Sequence, residues 1–139
     1  MNEGTCRQEI LAALRDMGIE CMAVENPCEP GTPDINWCDM GREGWVELKY
    51  LERFPVRKGV VKIEHYTLQQ RQFGAHRRGL GGNWALIVVI GEGLERACLG
   101  FRGSAGLLVG QKKEAWLWEN ASFSGLLSWE SIAGNIVAK

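Results

Sequence analysis

Two acidic side chains and one lysine have the types and spacing that phosphodiester hydrolysis requires. Asp34 follows a Gly-Thr-Pro turn, and Glu47 and Lys49 stand on either side of a single leucine. Carboxylates are hard oxygen ligands for Mg²⁺, which keeps several waters from which a nucleophile can come. A lysine beside them can hold the attacking water or polarise a scissile phosphate oxygen. The three residues therefore predict a Mg²⁺-dependent phosphodiesterase, with Mn²⁺ able to substitute.

A hairpin of two short strands would bring these residues together. Side chains two positions apart on a strand share a face, so Glu47 and Lys49 point one way and Val46 and Leu48 the other. If the strand that begins after the turn at Asp34 pairs with this one, Asp34 can lie beside Glu47. The alternative is a surface hairpin with an exposed Glu–Lys pair, because cross-strand charges also stabilise ordinary hairpins.

The remaining elements are predicted from hydrophobic periodicity and from turn and capping residues. They are a helix over 5–17 capped by Thr5, a strand over 19–24, a helix over 67–78 capped by Thr67, and strands over 84–90 and 94–101. The strand over 84–90 is apolar throughout, as expected of a central strand covered on both faces. Residues 51–66 predict either a basic flap or an ordinary loop, with a short edge strand over 60–63. Residues 104–139 predict short strands or a final helix.

The order of these motifs resembles the PD-(D/E)XK nuclease superfamily. Pro33-Asp34 matches its first half and Glu47-Leu48-Lys49 its second, and a helix with an early glutamine and an apolar strand follow. The pattern is most similar to the small VRR-NUC domains and, through them, to archaeal Holliday junction resolvases. The resemblance implies an α/β, restriction-endonuclease-like core of order α-β-β-β-α-β, with a central mixed sheet flanked by helices. We expect one nuclease domain over 1–139, with its core over 5–101 and a C-terminal elaboration over 102–139.

The resemblance also implies roles for individual residues. Asp34, Glu47 and the main-chain carbonyl of Leu48 would hold the metal, and Lys49 would be the catalytic lysine. Glu9, on the first helix, resembles an additional acidic residue that many members place near the metal. A solvent-exposed glutamate would look the same in the sequence.

A glutamine on the second helix is a further candidate for the site. Gln70 is the expected choice, because Thr67 then matches the polar residue that opens this helix three positions earlier. Gln69 is the alternative. An amide at either position could hydrogen-bond the lysine or the scissile phosphate, and an exposed surface amide is the simpler interpretation.

Charge is distributed unevenly along the chain. The net charge is −1, which alone argues against binding nucleic acid, yet residues 49–78 contain eight basic and two acidic residues. A local basic face is the electrostatic feature expected for phosphate contacts, although a solvated loop and helix surface would have the same composition. The residues predicted to bind DNA are Arg53, Arg57, Lys58, Lys62, Arg71, Arg77 and Arg78.

The composition of the 139 residues is that of a globular protein, with 45% hydrophobic and 24% charged residues. No apolar run approaches the ~18 residues of a membrane span, and no signal segment opens the chain. We therefore expect an intracellular, cytoplasmic protein without a membrane partner. The five cysteines lack C-x-x-C spacing and are expected to be reduced.

The function expected from these observations is a metal-dependent DNA endonuclease, selective for Holliday junctions or other branched DNA, and a phage is the expected source. A homodimer would suit a junction with two cleavable strands. The alternatives are a non-specific or flap nuclease, and a nucleic-acid-binding module that has the nuclease fold but does not cut.

Overall fold

The computed structural model describes residues 2–138, and within them six strands form one mixed sheet. Each strand neighbours the next along the chain, and β3 and β4 run parallel while the other neighbours are antiparallel. The strands are β1 (Glu20–Ala23), β2 (Ile35–Asp39), β3 (Arg42–Leu51), β4 (Asn83–Ile90), β5 (Ala97–Phe101) and β6 (Phe123–Leu126). This arrangement confirms the expected mixed sheet.

Helices cover both faces of the sheet. They are α1 (Glu3–Asp16), α2 (Leu68–Gly79), α3 (Glu114–Asn120) and α4 (Trp129–Val137). α1 and α4 pack on the face that carries Val46 and Leu48 of β3. α2, α3 and a 3-10 turn over 104–108 pack on the opposite face, which carries Leu86 and Val88 of β4. Within the described part of the chain, none of the helices has the length and apolar character of a membrane span.

The start of α1 was predicted wrongly and that of α2 correctly. α1 begins at Glu3, because the side chain of Asn2 accepts a hydrogen bond from the Thr5 amide at 2.8 Å. Thr5 therefore lies within the first turn. Asn2 can take the capping position because asparagine is at least as good an N-cap as threonine. Thr67 caps α2 as predicted, and Gln70 completes a reciprocal capping box.

The C-terminal part of the fold agrees with the prediction of short strands or a final helix over 104–139, since β6 and α4 are present, but the strand before it starts later than predicted. The strand expected from residue 94 begins at Ala97, because Gly93–Glu95 form a 3-10 turn that leaves Leu94 fully exposed. Beyond it, α3, β6 and α4 return the chain to both faces of the sheet. No disulfide joins the cysteines of residues 2–138, and Cys6, Cys21 and Cys98 are buried.

Gly31 fixes the approach of the loop before Asp34 to the first turn of α2. Its backbone has φ +96°, and a Cβ atom there would lie 2.6 Å from the main-chain carbon and oxygen of Gln69. Both the left-handed conformation and the close approach favour glycine. This contact keeps the N-terminus of α2 beside Asp34.

We predict that Gly31→Ala destabilises the protein more than Gly18→Ala. Gly18 has a similar φ of +79° but open space around it, so its substitution costs only backbone strain, about 1 kcal/mol. Gly31→Ala adds a steric overlap with α2 main chain and should cost about 1–3 kcal/mol more. Urea unfolding of the two variants measures the difference, and equal losses would show that the contact is not tight.

Candidate active site

The hairpin of β2 and β3 brings Asp34 to the middle of β3. Ile35 pairs with Val46, which places Asp34 beside Glu47 just before β2 begins. The carboxylate oxygen Oδ2 of Asp34 accepts a hydrogen bond from the Leu48 main-chain amide at 2.8 Å. The structure therefore holds Asp34 next to the Glu47-Leu48-Lys49 segment through a main-chain contact that any residue at 48 other than proline could provide.

Glu47 and Lys49 form a buried ion pair on the α2 side of the sheet. Lys49 Nζ lies 3.3 Å from Glu47 Oε1, and the two residues are 1% and 3% exposed. Their parallel partners on β4 are Leu86 and Val88, both fully buried. The surface-hairpin alternative is therefore wrong, since charges buried against apolar neighbours require specific partners.

The second oxygen of the Glu47 carboxylate is under-satisfied. Glu47 Oε2 is buried and has no hydrogen-bond partner among the described residues. Burial and repulsion by Asp34 raise the pKa of Glu47 from its ordinary value near 4.5 to about 8, and Lys49 offsets part of this. Lys49 alone thus supplies too little positive charge for two neighbouring carboxylates, as expected where a cation would bind.

The chain connecting β3 to α2 orients the lysine. Lys49 Nζ donates a hydrogen bond to the main-chain carbonyl of His65 at 2.9 Å and lies 5.9 Å from the centre of the Tyr66 ring. His65 has a left-handed backbone with φ +61°, uncommon for residues other than glycine and enriched in asparagine, aspartate and histidine. Sequence patterns gave no sign of this contact, because it uses a main-chain atom.

A third carboxylate approaches the site from α1, and it is Glu3 rather than Glu9. Burial raises the pKa of Glu3, attraction by Lys49 lowers it and repulsion by Asp34 raises it again. Arg7, one turn along α1, places Nη1 4.0 Å from Asp34 Oδ1. The N-terminal part of α1 therefore adds both an acid and a base near Asp34.

The prediction that Glu9 lies near the metal is contradicted by its contacts. Its carboxylate accepts two hydrogen bonds from the Arg96 guanidinium at 3.1 and 3.0 Å and one from the Trp129 indole at 2.5 Å. These interactions lower the pKa of Glu9, with the Arg96 hydrogen bond as the largest cause. Glu9 therefore joins α1 to α4 and to the residue that precedes β5. Glu3 lies six residues earlier on the same helix, and an acidic residue at a helix N-terminus was the sequence signal that could have indicated it.

The two glutamines of α2 lie near the site without contacting Lys49. Gln70 Oε1 accepts a hydrogen bond from the Thr67 amide at 2.9 Å, so this oxygen serves the helix cap. Gln69 contributes the main chain against which Gly31 packs. A role for either amide in binding phosphate stays a prediction.

The seven predicted DNA-binding residues fall into two groups. Six are exposed: Arg53, Arg57, Lys58, Lys62, Arg77 and Arg78. Arg71 is different, because it lies 3.9 Å from the centre of the Tyr66 ring and donates a hydrogen bond to the Leu107 carbonyl at 2.6 Å. We therefore correct the prediction for Arg71, which joins α2 to the 104–108 turn and is committed to that contact.

The acidic oxygens of the site suit a hard divalent cation. Across residues 2–138, no three His, Cys, Asp or Glu side chains are arranged as a metal-binding group. The carboxylates of Asp34 and Glu47 are adjacent, and Glu47 Oε2 has no hydrogen-bond partner in the part of the chain that the structure describes. Mg²⁺ often binds through one or two carboxylates and retains water in its other positions, so this donor set fits such an ion. The ligand role of the Leu48 carbonyl stays a prediction.

The fold was compared with those of known structures. The chain is similar to Hjc, a Holliday junction resolvase from the archaeal hyperthermophile Archaeoglobus fulgidus, with a TM-score of 0.51 and 15% identity over 91% of this chain and 99% of that one. This chain has the restriction-endonuclease-like fold. At this identity the likeness shows the fold alone. No family model and no curated protein matches the sequence.

We predict that the metal-free protein loses stability with rising pH through Glu47. The pKa of Glu47 is higher in the folded than in the unfolded protein, so folding favours the protonated carboxyl. The stability that follows from this is fully present below pH 4.5 and is lost as the pH rises through about 8. The slope can reach about 1.4 kcal/mol per pH unit. In chelator, Glu47→Gln should reduce this pH dependence of the free energy of unfolding.

The measurement is urea unfolding between about pH 5 and about pH 9. Glu43→Gln, at an exposed glutamate of the same strand, is the matched control and should keep the wild-type slope. At high pH, added Mn²⁺ should raise the stability of the wild-type protein and should not raise that of Glu47→Gln. Identical slopes for wild type and Glu47→Gln would contradict the assignment.

A second prediction separates Glu3 from Glu9. Glu9→Gln should lower the free energy of unfolding by about 1–3 kcal/mol, because it removes charge-assisted hydrogen bonds to Arg96. Glu3→Gln should leave stability nearly unchanged and weaken the stabilisation by Mn²⁺. Thermal unfolding with and without Mn²⁺ measures both effects, and the reverse pattern would return Glu9 to the site.

Proposed function

We propose that this protein is a metal-dependent endonuclease that hydrolyses phosphodiester bonds in branched DNA. The observation that carries the proposal is the buried Glu47–Lys49 pair, with Asp34 alongside and one Glu47 oxygen that has no hydrogen-bond partner among residues 2–138. Burying the Glu47 carboxylate with the Lys49 ammonium, next to the partly exposed carboxylate of Asp34, is costly for a structural role. A site that recruits a cation and a phosphate accounts for that cost.

Lys49 would act on the phosphate. Its ammonium is held by Glu47 Oε1 and the His65 carbonyl, so its position is fixed before substrate arrives. A preorganised positive charge in a low-dielectric site stabilises the negative charge of the transition state without paying for reorganisation. Phosphoryl transfer depends mainly on such positioning and electrostatic stabilisation.

Asp34 and Glu47 would hold Mg²⁺ or Mn²⁺, and the Leu48 carbonyl is a further candidate ligand. Glu3 would add negative charge near the cation without being one of its ligands. When bound, the cation supplies Lewis-acid polarisation of a phosphoryl oxygen and makes water a stronger nucleophile at neutral pH. Asp34 is also fixed by the Leu48 amide, which leaves its other oxygen, Oδ1, for the cation. Arg7, 4.0 Å from that oxygen, would face the same phosphate.

The substrate class is inferred from charge and fold together. The exposed cations of residues 53–62 follow directly after β3, so they suit the phosphate backbone of DNA that enters the site. The structural neighbour Hjc is a Holliday junction resolvase, and this supports branched DNA as the substrate. A homodimer would place two sites on a junction related by a two-fold axis. A flap or plain duplex is the competing substrate.

We predict that the wild type cleaves a synthetic four-way junction in Mg²⁺ or Mn²⁺ and not in chelator. Asp34→Asn and Lys49→Met should each lower the cleavage rate roughly 100-fold or more, the size expected when one electrostatic stabiliser of a transition state is removed. Binding should weaken only modestly, since one phosphate contact among several is lost. The measurement is single-turnover cleavage of junction, flap and plain duplex.

Asp16→Asn is the matched control for Asp34→Asn. Asp16 is exposed at the end of α1, so its substitution should leave the rate unchanged. Faster cleavage of the flap or the duplex than of the junction would favour the competing nucleases. If the wild type binds all three DNAs and cuts none in either metal, the protein is a binding module.

A further inference from the structure

The C-terminal part of the chain adds two lysines to the basic segment that follows β3, which covers residues 52–66. Val60 forms an isolated antiparallel bridge with Lys113, and the Val61 amide donates a hydrogen bond to the Lys112 carbonyl at 2.9 Å. This pairing joins residues about fifty positions apart in the sequence. It brings Lys112 and Lys113 beside a segment that is itself rich in cations.

The cations at this junction face solvent. A surface depression is lined by Arg57, Lys58 and Lys113 together with apolar atoms of the same segments. Lys62 and Lys113 are exposed, and Lys112 is partly exposed. The side chain of Lys112 extends along the surface, with Nζ 5.5 Å from the centre of the Trp116 ring.

Few acids oppose these cations. Glu114, the first residue of α3, lines the same depression, and its Oε2 accepts a hydrogen bond from the indole of Trp118 on the same helix at 3.2 Å. Glu52 and Glu64 lie at the two ends of the segment. The five cations therefore form a strongly positive surface.

This surface is connected to the candidate active site at both ends of the segment. The segment leaves β3 two residues after Lys49, and the carbonyl of His65 near its other end accepts the hydrogen bond of the Lys49 ammonium. The bridge at Val60 holds its middle. The positive surface is thus held by main-chain contacts at a fixed place relative to Lys49.

We propose that Lys112 and Lys113 complete, with Arg57, Lys58 and Lys62, a phosphate-binding surface that holds the duplex arm leading away from the cleaved bond. This inference rests on the proposed function, and the part of the DNA that the surface binds is the duplex arm. Its residues contact the backbone and not the reacting phosphate, so they set affinity and not the rate of the chemical step.

The test compares Lys112→Gln/Lys113→Gln with Lys112→Arg/Lys113→Arg, which keeps both charges. The bridge uses main-chain atoms, so both double variants should fold, and thermal unfolding checks this. Binding is measured by fluorescence anisotropy in Ca²⁺ on junctions of increasing arm length, with a salt titration. Arg15→Gln removes one exposed positive charge at the end of α1 and controls for the effect of losing a charge away from this surface.

The glutamine variant should bind long-armed junctions roughly tenfold more weakly than the wild type, with a salt slope lower by about two. It should match the wild type on the shortest arms and in cleavage rate at saturating enzyme. The arginine variant should behave as the wild type on every substrate.

If the glutamine variant binds junctions of every arm length as tightly as the wild type does, the inference is overturned and the nuclease proposal is unaffected. An equal loss of affinity on short and long arms would also overturn it, since the lysines would then lie at the branch point. If the wild type itself binds no DNA, the proposed function and this inference fall together.

Discussion

The burial of Glu47 and Lys49 side by side is the constraint on which the rest of the structure depends. Both lie on a strand between two neighbours, and their face is closed by apolar residues of β4 and by the chain before α2. Removing one partner of a buried pair typically costs about 3–5 kcal/mol, because the other charge remains unpaired. The surrounding elements must therefore preserve this pair, and the pair in turn leaves one carboxylate oxygen of Glu47 without a hydrogen-bond partner among the described residues.

The elements around the pair act as a frame for it. The register of the β2–β3 hairpin sets Asp34 against the Leu48 amide, and Gly31 lets α2 approach the loop that carries Asp34. The N-terminal part of α1 adds Glu3 and Arg7. Each contact involves main-chain atoms or a helix end, so the geometry of the acidic cluster depends on the fold more than on individual side chains.

The local parts of this arrangement could be predicted from the sequence. The alternation of β3, the turn before Asp34 and the cap at Thr67 are short-range signals, and the structure has all three. The choice between Glu3 and Glu9 could not be made, because it depends on a guanidinium 87 positions from Glu9. Arg71 was misassigned for the same reason, since its partner Leu107 lies 36 positions away. Short apolar pieces separated by glycines gave α3, β6 and α4 no periodicity long enough to recognise.

The main-chain contact at position 65 has an evolutionary consequence. Lys49 is oriented by a carbonyl oxygen that every amino acid carries, so the imidazole of His65 is dispensable for that purpose. What selection can act on is the left-handed backbone with φ +61°, which glycine and asparagine adopt readily. Sequence drift at this position would then be filtered by conformational preference rather than by acid–base chemistry, and an alignment could show it as variable although the contact persists.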